Sequence, residues 1–385
     1  MAAGMAAASV ARVRGANDRV RLGIIGTGGR GSYLMTEANK CANIQWVALC
    51  DAWDVRRDQA AQIAGGDVEK YGDYRRLLDR KDIDAVIVAT WDNLHAQITT
   101  DACHAGKDVY VEKPMTSLPA QGAGVVRAVR ETQRVVQTGV QQRSTPHFLE
   151  AKQRFIDSGL IGRVHMVRTI WNANGGYLTP VPAGMESKPA GLDWDACLGW
   201  LPKIPWDPKR YFNRFAYWDL SSGGQTGGLL VHMIDVVYWF LNIRKPASAV
   251  ALGGIYQYDD GRDTPDNINV TLDYPENLNV TFEATITDMI PKQSEDIVFM
   301  GTGGRLSIFR SRYHFIPAGS KSPADEIVVR GGPDQHMQNW VDCVRSRQEP
   351  NANVVDGHYG AMACHIANIA YRDKARVIWK PEWDV

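Results

Sequence analysis

The sequence lacks a net charge, a paired-cysteine motif and a long apolar run. Its 43 basic and 43 acidic side chains cancel, which argues against binding to nucleic acid or to an anionic membrane, because both depend on clustered lysine and arginine. No apolar run approaches the roughly 20 residues of a membrane-spanning helix. The six cysteines form no CxxC pair, a pattern typical of neither a disulfide framework nor a zinc knuckle. We therefore expect reduced, mostly buried thiols and no bound metal.

Phenylalanine is scarce relative to tryptophan, with 9 Phe against 12 Trp. Six of the tryptophans lie between Trp171 and Trp239. They are either separate core residues or part of a ligand cleft, and composition alone does not decide between these interpretations.

The first 17 residues stand apart from the fold. Residues 1–11 read MAAGMAAASVA, and Ser9-Val10-Ala11 offers the small residues that signal peptidase requires. A working signal peptide has positive charge before its apolar run, and only Met1 precedes this one. Two interpretations stay open: the remnant of an export leader, which implies a periplasmic protein, or a frayed tail, which implies a cytoplasmic one.

A dinucleotide fingerprint follows the first predicted strand, residues 20–25. The motif GTGGRG stands between this strand and a helix-compatible run at 32–38, where such glycines allow a tight turn and close approach of a diphosphate to the helix start. The candidate cofactor-binding residues of the motif are Gly26, Thr27, Gly28, Gly29, Arg30 and Gly31.

Asp51 ends the second predicted strand, residues 45–50, at the spacing expected for a carboxylate on the adenosine ribose. A carboxylate there repels a 2′-phosphate, which favours NAD. Arg56 and Arg57 follow closely and are able to neutralise such a phosphate, so NADP remains possible.

The chain length favours two domains, at roughly 150 residues each. Strands and helices alternate through about residue 140, which predicts a doubly wound parallel α/β domain over residues 18–142. Residues 267–274 and 279–287 instead alternate polar and apolar positions, as half-buried antiparallel strands do. We expect residues 143–385 to form an α+β domain with an open, largely antiparallel sheet.

Three further motifs follow one another along the chain: Ala89-Thr90…Asn93…His95, Glu112-Lys113-Pro114 and His232-Met233-Ile234-Asp235. Together with the glycine motif, the set resembles the Gfo/Idh/MocA family, which includes glucose–fructose oxidoreductase and inositol dehydrogenase. The resemblance extends from about residue 20 to residue 379. One local departure is Trp91, which replaces a family proline.

The resemblance implies roles for individual residues. Lys113 would contact both the nicotinamide and the substrate hydroxyl, with Glu112 holding the lysine, and His232 would be the acid/base. The other cofactor contacts implied in this part of the chain are Thr90, Asn93, His95 and Gln141.

One departure affects the implied chemistry. Many family dehydrogenases have an aspartate four residues before the histidine, where this chain has Gly228. Two interpretations follow. Either another carboxylate orients His232, namely Asp235, which lies three residues later on the same helix face, or Asp219, or the chemistry differs from simple dehydrogenation.

Aromatic rings beside cations suit a sugar, which has apolar C–H faces and polar edges. Besides His232, the candidate substrate residues are Arg143, Trp171, Tyr177, Arg214 and Trp218. Among the tryptophans we expect Trp218, and after it Trp171, to face the sugar, while the others belong to the core.

The main hypothesis is an NAD(P)-dependent oxidoreductase that transfers hydride between a secondary hydroxyl of a sugar or glycoside and a nicotinamide cofactor, tightly bound in some relatives. One alternative is an NAD-dependent glycosidase that works by transient oxidation and elimination. Another is a non-catalytic NAD-binding sensor. The resemblance also implies a homo-oligomer, either a dimer or a tetramer.

Overall fold

The computed structural model describes residues 19–173, 180–288, 297–323, 325–328 and 335–385. The predicted leader and Tyr177 lie outside the described residues.

The first half contains a six-stranded parallel sheet in the order β3-β2-β1-β4-β5-β6. This is the strand order of a dinucleotide-binding fold, and it confirms the predicted α/β class. Strands β4 and β5 are buried along their whole length, as their continuous apolar sequences predict. The strands are β1 (Val20–Ile25), β2 (Ile44–Cys50), β3 (Glu69–Tyr71), β4 (Ala85–Val88), β5 (Asp108–Val111) and β6 (Val136–Thr138).

Five helices connect these strands: α1 (Gly29–Ala38), α2 (Asp54–Ala64), α3 (Tyr74–Leu78), α4 (Asp92–His104) and α5 (Gly122–Thr132). Strand β6 ends at Thr138, and Gln141 lies in the 3₁₀ turn that follows it, Gln141–Ser144.

The second half contains a nine-stranded sheet among the described residues, in the order β14-β13-β12-β11-β7-β10-β9-β8-β15. All its neighbouring pairs are antiparallel except β7 with β10, which confirms an open, largely antiparallel sheet. The strands are β7 (Val164–Asn172), β8 (Ser248–Gly254), β9 (Asn267–Tyr274), β10 (Leu278–Thr285), β11 (Ile297–Gly301), β12 (Gly304–Ile308), β13 (Arg312–Pro317), β14 (Asp325–Val328) and β15 (Val377–Ile378).

Two long helices cover one face of this sheet. These helices are α10 (Val231–Leu241) and α12 (Val354–Asp373), and the residues that they bury against the sheet are mostly apolar. Phe240 of α10 stacks on Phe299 of β11 with ring centroids 5.2 Å apart. Each side chain of this kind contributes about 1.5–3 kcal/mol when fully buried. The helices of the second half are α6 (Pro146–Ala151), α7 (Trp194–Leu198), α8 (Pro208–Phe212), α9 (Trp218–Ser221), α10 (Val231–Leu241), α11 (Gln335–Ser346) and α12 (Val354–Asp373), with π-helical turns at Lys152–Asp157 and Thr226–Leu230.

Helix α11 returns to the first half of the chain. Its Trp340 is fully buried and meets Tyr110 of β5 edge-to-face at 5.7 Å. The side-chain amide of Gln137 in β6 donates to the carbonyl of His336 at 2.7 Å. The C-terminal helices therefore join the two sheets, and the domain boundary near residue 142 stays a prediction.

No helix in the described ranges has both the length and the apolar character needed to cross a membrane.

Candidate functional site

A cleft of about 1240 Å³ runs along the carboxyl ends of the parallel strands, the edge at which open α/β sheets bind ligands. Residues from the segment 191–217 and the start of α10 form the opposite side of the cleft, here called the far wall. The cleft brings together twelve of the residues predicted from the sequence: Gly26, Gly28, Gly29, Arg30, Asp51, Thr90, His95, Glu112, Lys113, Gln141, Arg214 and His232.

The glycine motif forms the turn between β1 and α1. Gly26 has a φ of +91°, and a Cβ at this position would lie 2.7 Å from the main chain of Ala89 and Thr90. Gly31 is buried in the first turn of α1. Gly28 is the N-cap of this helix and no side chain caps it, so the first N–H groups of α1 can bind an anion such as a diphosphate.

Asp51 is held against the glycine motif. Its carboxylate accepts from the Thr27 N–H at 2.7 Å and from the Thr27 hydroxyl at 3.2 Å, while the Trp53 N–H donates to its other oxygen at 2.9 Å. Arg57 donates to the Asp51 carbonyl at 2.6 Å. The Asp51 carboxylate, predicted to bind the ribose, and the Arg57 cation therefore lie close together, and the choice between NAD and NADP stays a prediction.

An ion pair links the glycine motif to the Glu112-Lys113-Pro114 turn. The Arg30 Nε donates to Glu112 Oε1 at 2.7 Å, and Glu112 is only 4% exposed. The second carboxylate oxygen accepts from the Lys113 N–H at 3.2 Å. Glu112 therefore binds the main-chain N–H of Lys113, while the Lys113 ammonium group forms its hydrogen bond with another part of the chain.

The Lys113 ammonium group reaches the second half of the chain. Its Nζ donates to the carbonyl of Gly228 at 2.7 Å, in the π-helical turn that precedes α10. Burial lowers the pKa of Lys113 to about 8, an effect that Glu112 and Asp92 oppose. The peptide bond between Lys113 and Pro114 is cis.

Two residues of the Thr90–His95 motif serve as main-chain anchors. Nδ1 of His95 lies 2.8 Å from the Pro114 carbonyl oxygen, and Nε2 of the same ring lies 3.1 Å from the Thr90 carbonyl oxygen. Asn93 is fully buried, and its amide donates to the Leu198 carbonyl at 2.9 Å. Asn93 therefore holds the far wall of the cleft, and among the described residues it is not part of the cleft lining.

His232 lies in the first turn of α10 and faces the cleft. Burial lowers its pKa well below the ordinary value, and the nearby Lys113 lowers it further. Its Nδ1 has no hydrogen-bond partner among the described residues. The imidazole is therefore neutral near pH 7 and able to accept a proton.

The expectation that Asp235 orients His232 is wrong. The Asp235 carboxylate is 1% exposed and accepts from the Arg143 Nε at 2.9 and 3.0 Å. Arg143 also donates to Asp356 Oδ2 at 3.0 Å. Asp219, the other carboxylate considered, is paired with Arg210.

The structure also places Arg143 away from the cleft that the described residues form. Its guanidinium pairs with two buried carboxylates, Asp235 and Asp356, and donates to the Asn351 carbonyl at 3.4 Å. This buried ion pair joins the end of the first half to α10 and α12.

Gly228 leaves no room for the family aspartate. A Cβ on Gly228 would lie 2.9 Å from Cε1 of Phe215, closer than real contacts allow. Phe215 therefore occupies the space of a side chain at this position, and a main-chain carbonyl faces Lys113 where a carboxylate was expected. Arg214, next to Phe215, is paired with the buried Asp92 at 2.8 Å.

The structure places neither of the predicted tryptophans, Trp218 and Trp171, in the cleft lining formed by the described residues. Trp218 stacks on Tyr371 and donates through Nε1 to the Asp263 carbonyl at 2.7 Å, and Trp171 packs against the core of the second half. Neither is part of the cleft lining formed by the described residues, whereas Trp91 and Trp200 are.

Sequence reasoning assigned no site role to three residues on the far wall, Cys197, Trp200 and Lys203, and it gave Arg56 no role beyond a possible 2′-phosphate. The only signal for this wall was the aromatic density between residues 191 and 217.

Comparison with known proteins assigns both halves of the chain. Residues 20–140 match a family model described as "Oxidoreductase family, NAD-binding Rossmann fold". Residues 203–307 match the "GFO/IDH/MocA C-terminal domain".

Curated relatives include inositol 2-dehydrogenase of Salmonella typhimurium, 33% identical over 150 residues, and inositol 2-dehydrogenase 2 of Saccharopolyspora erythraea, 33% identical over 165 residues. These matches cover 38% and 42% of this chain, and 44% and 48% of the relatives. The aligned segment therefore spans less than half the length of these relatives.

Solved structures share the whole fold. A levoglucosan dehydrogenase in complex with NADH and levoglucosan has a TM-score of 0.75 at 18% identity, covering 94% of this chain and 99% of that one. The aldose-aldose oxidoreductase of Caulobacter crescentus has a TM-score of 0.73 at 19% identity, with 94% and 100% coverage. At these identities the likeness establishes the fold.

Proposed function

Because this chain belongs to the Gfo/Idh/MocA family of oxidoreductases, we propose that it transfers a hydride between a secondary hydroxyl of a carbohydrate and a nicotinamide cofactor. The substrate class is a sugar, a glycoside or a cyclic polyol, in line with the inositol and levoglucosan dehydrogenases among its relatives. NAD is the favoured cofactor, because Asp51 presents a carboxylate at the adenosine ribose position.

The residues of the cleft fit such a cofactor. The uncapped N–H groups of α1 suit a diphosphate, and Asp51 suits ribose hydroxyls. The Oε1 atom of Gln141, at the nicotinamide end of the strand edge, is buried and has no partner among the described residues, so it can accept from an amide. When bound, the nicotinamide accepts or supplies the hydride.

Lys113 stabilises the substrate oxygen in this proposal. As an ammonium group near neutral pH, its Nζ donates to a substrate oxygen that gains negative charge as the hydroxyl proton is transferred to His232. The Gly228 carbonyl accepts a hydrogen bond from Nζ at 2.7 Å, which fixes the direction of the ammonium group and leaves its other two N–H bonds for ligands.

His232 takes the hydroxyl proton. Its imidazole is neutral because burial and Lys113 depress its pKa, and a neutral imidazole in the cleft is a base throughout the ordinary assay range. Oxidation then balances, since the C–H bond loses its hydride to the cofactor and the O–H bond loses its proton to His232.

One observation carries the proposal: Lys113 and His232, from opposite halves of the chain, line the same cleft as the glycine motif and Asp51. The test is to incubate the purified protein with NAD and a panel of sugars, glycosides and inositols and to follow NADH formation. His232→Ala should reduce turnover while NADH affinity stays close to that of the parent.

Two outcomes would contradict the dehydrogenase assignment. Steady release of phenol from aryl glycosides, without added NAD and without net NADH, would favour redox-assisted hydrolysis. A protein that binds NADH but oxidises none of the panel and cleaves no glycoside would favour the sensor hypothesis.

A further inference from the structure

Residues 191–217, here called the strap, cross the cofactor cleft from one side to the other. One end is attached beside the ribose-binding Asp51, where Leu192 forms an isolated antiparallel bridge with Trp53. The Asp193 N–H donates to the Ala52 carbonyl at 2.9 Å. This end of the strap is therefore fixed to the residues that follow β2.

The middle of the strap is attached to the start of α4, the helix that follows β4. Asn93 donates to the Leu198 carbonyl at 2.9 Å, and the indole N–H of Trp200 donates back to the Asn93 carbonyl. The Leu94 side chain fills the space beside Gly199, where a Cβ would lie 2.2 Å from it.

The order of the strands in the sheet shows which part of the cleft lies between these two attachments. Strand β1 lies between β2 and β4 in the sheet, and the glycine motif stands at the carboxyl end of β1. A segment fixed beyond β2 and beyond β4 therefore passes over the glycine motif, where the diphosphate of a dinucleotide binds. Its buried aromatic residues form a small core with Trp53 and Trp91, so the strap is packed in place.

The strap also positions a cation. The Nε of Arg56 donates to the hydroxyl of Tyr211 at 3.2 Å, and its guanidinium lies over the rings of Trp53 and Tyr211, 5.7 and 5.8 Å from their centroids. A Cβ placed on Gly28 would lie 2.8 Å from Nη1 of Arg56. The guanidinium is therefore held directly beside the glycine that permits close approach of a diphosphate.

We propose that Arg56, held by Trp53 and the strap residue Tyr211, binds the cofactor diphosphate, and that the strap retains the dinucleotide in the protein between turnovers. This inference rests on the proposed function only for the identity of the dinucleotide. An arginine fork matches phosphate oxygens in two-point geometry, and release of the dinucleotide requires the strap to separate from Ala52 and Asn93.

The test measures NADH release from the full-length protein. The protein is loaded with NADH, mixed rapidly with excess NAD, and followed by NADH fluorescence. Arg56→Met removes a charge-assisted contact and should accelerate release roughly 10- to 100-fold. Tyr211→Phe keeps the ring but removes the hydroxyl that orients Arg56, and should accelerate it by a factor of about 2–10. Lys209→Gln, an exposed change on the strap away from the cleft, should release NADH at the parental rate.

Two comparisons make the result specific. The NADH affinity of the parent should weaken with rising salt more steeply than that of Arg56→Met, because one ionic contact is missing in the variant. If Arg56→Met weakens NADPH binding alone, the guanidinium serves a 2′-phosphate and the assignment to the diphosphate is overturned. Unchanged NADH release in Arg56→Met would overturn the whole inference.

Folding of each variant is checked by circular dichroism and thermal unfolding, and Arg56→Lys replaces Arg56→Met if the latter does not fold. The lysine variant keeps the charge without the fork, so release that is faster than in the parent supports the inference and parental release opposes it. No carbohydrate is present in these assays. Strap-dependent NADH release without any alcohol oxidation would therefore reject the proposed function and keep this inference, and the reverse result would do the opposite.

Discussion

The two walls of the cleft differ in how their residues reach it. The strand-edge wall consists of residues that follow β1 to β5, together with Gln141 after β6, and it contains ten of the residues predicted from the sequence. The far wall consists of the strap and the start of α10, and it contains two of the predicted site residues, His232 and Arg214. A parallel sheet brings its strand ends together whatever the intervening sequence, whereas the strap depends on contacts that no local pattern encodes.

The largest expected effect tests the strand-edge wall. Lys113→Met should reduce the turnover of alcohol oxidation roughly 10²- to 10⁴-fold, because the variant has no ammonium group at the substrate oxygen. NADH affinity, measured by fluorescence titration, should change only slightly. The exposed Lys81→Met serves as the matched control and should keep parental turnover. A Lys113→Met variant with more than a tenth of parental activity would remove Lys113 from the chemistry.

The next effect concerns Arg143, which sequence reasoning assigned to the substrate. Arg143→Met leaves the buried carboxylates Asp235 and Asp356 without this cation, and it should lower the free energy of unfolding by about 3–5 kcal/mol. Chemical denaturation measures the change, and adding Asp235→Asn should restore part of the loss. A variant of unchanged stability with a raised KM would instead return Arg143 to the substrate.

A pH profile tests the electrostatic coupling of the two walls. The pKa of Lys113 is lowered to about 8, so the cation is present below that pH and is lost above it. We expect kcat/KM for oxidation to fall as the pH rises through about 8, approaching a tenfold loss per pH unit. The pKa of His232 lies well below its ordinary value, so no decline is expected near pH 6.5 on the acid side. An acid limb centred there would show that His232 titrates normally.

The smallest expected effect compares Trp200, which lines the cleft, with Trp218, which does not. Trp200→Phe keeps an aromatic ring in the cleft but loses the indole donor to Asn93, and it should accelerate NADH release by a factor of about 2–10. Trp218→Phe loses its bond to the Asp263 carbonyl outside the cleft and should leave NADH release unchanged. If Trp218→Phe alone changes NADH release or KM, the sequence-based choice was better than the structural one.

Much of the fold was predictable, because period and spacing carry it. The fully buried strands β4 and β5 have continuous apolar sequences, and β9 alternates buried and partly exposed positions. The glycine motif and Asp51 were found because each follows a strand at a spacing that the dinucleotide fold imposes, whereas the role of Lys113 was implied by the family resemblance of Glu112-Lys113-Pro114.

The interior of the second half was less predictable. Asp235 lies three residues from His232 on one helix, yet its partner is Arg143, 92 positions away in sequence. Helical spacing identifies neighbours on one helix face and does not show which other element packs against that face. For the same reason, the packing of α11 on the first sheet could not be predicted from the sequence, since an amphipathic helix does not specify the surface it covers.

The contact between Phe215 and Gly228 also limits how this site can change over evolutionary time. Introducing an aspartate at residue 228 collides with a ring 2.9 Å away, so the single substitution is disfavoured while Phe215 remains. Shortening Phe215 first opens a void beside Gly228 before any carboxylate fills it, and such a void lowers stability. The two exchanges are therefore coupled, since each is expected to lower stability when it is made alone.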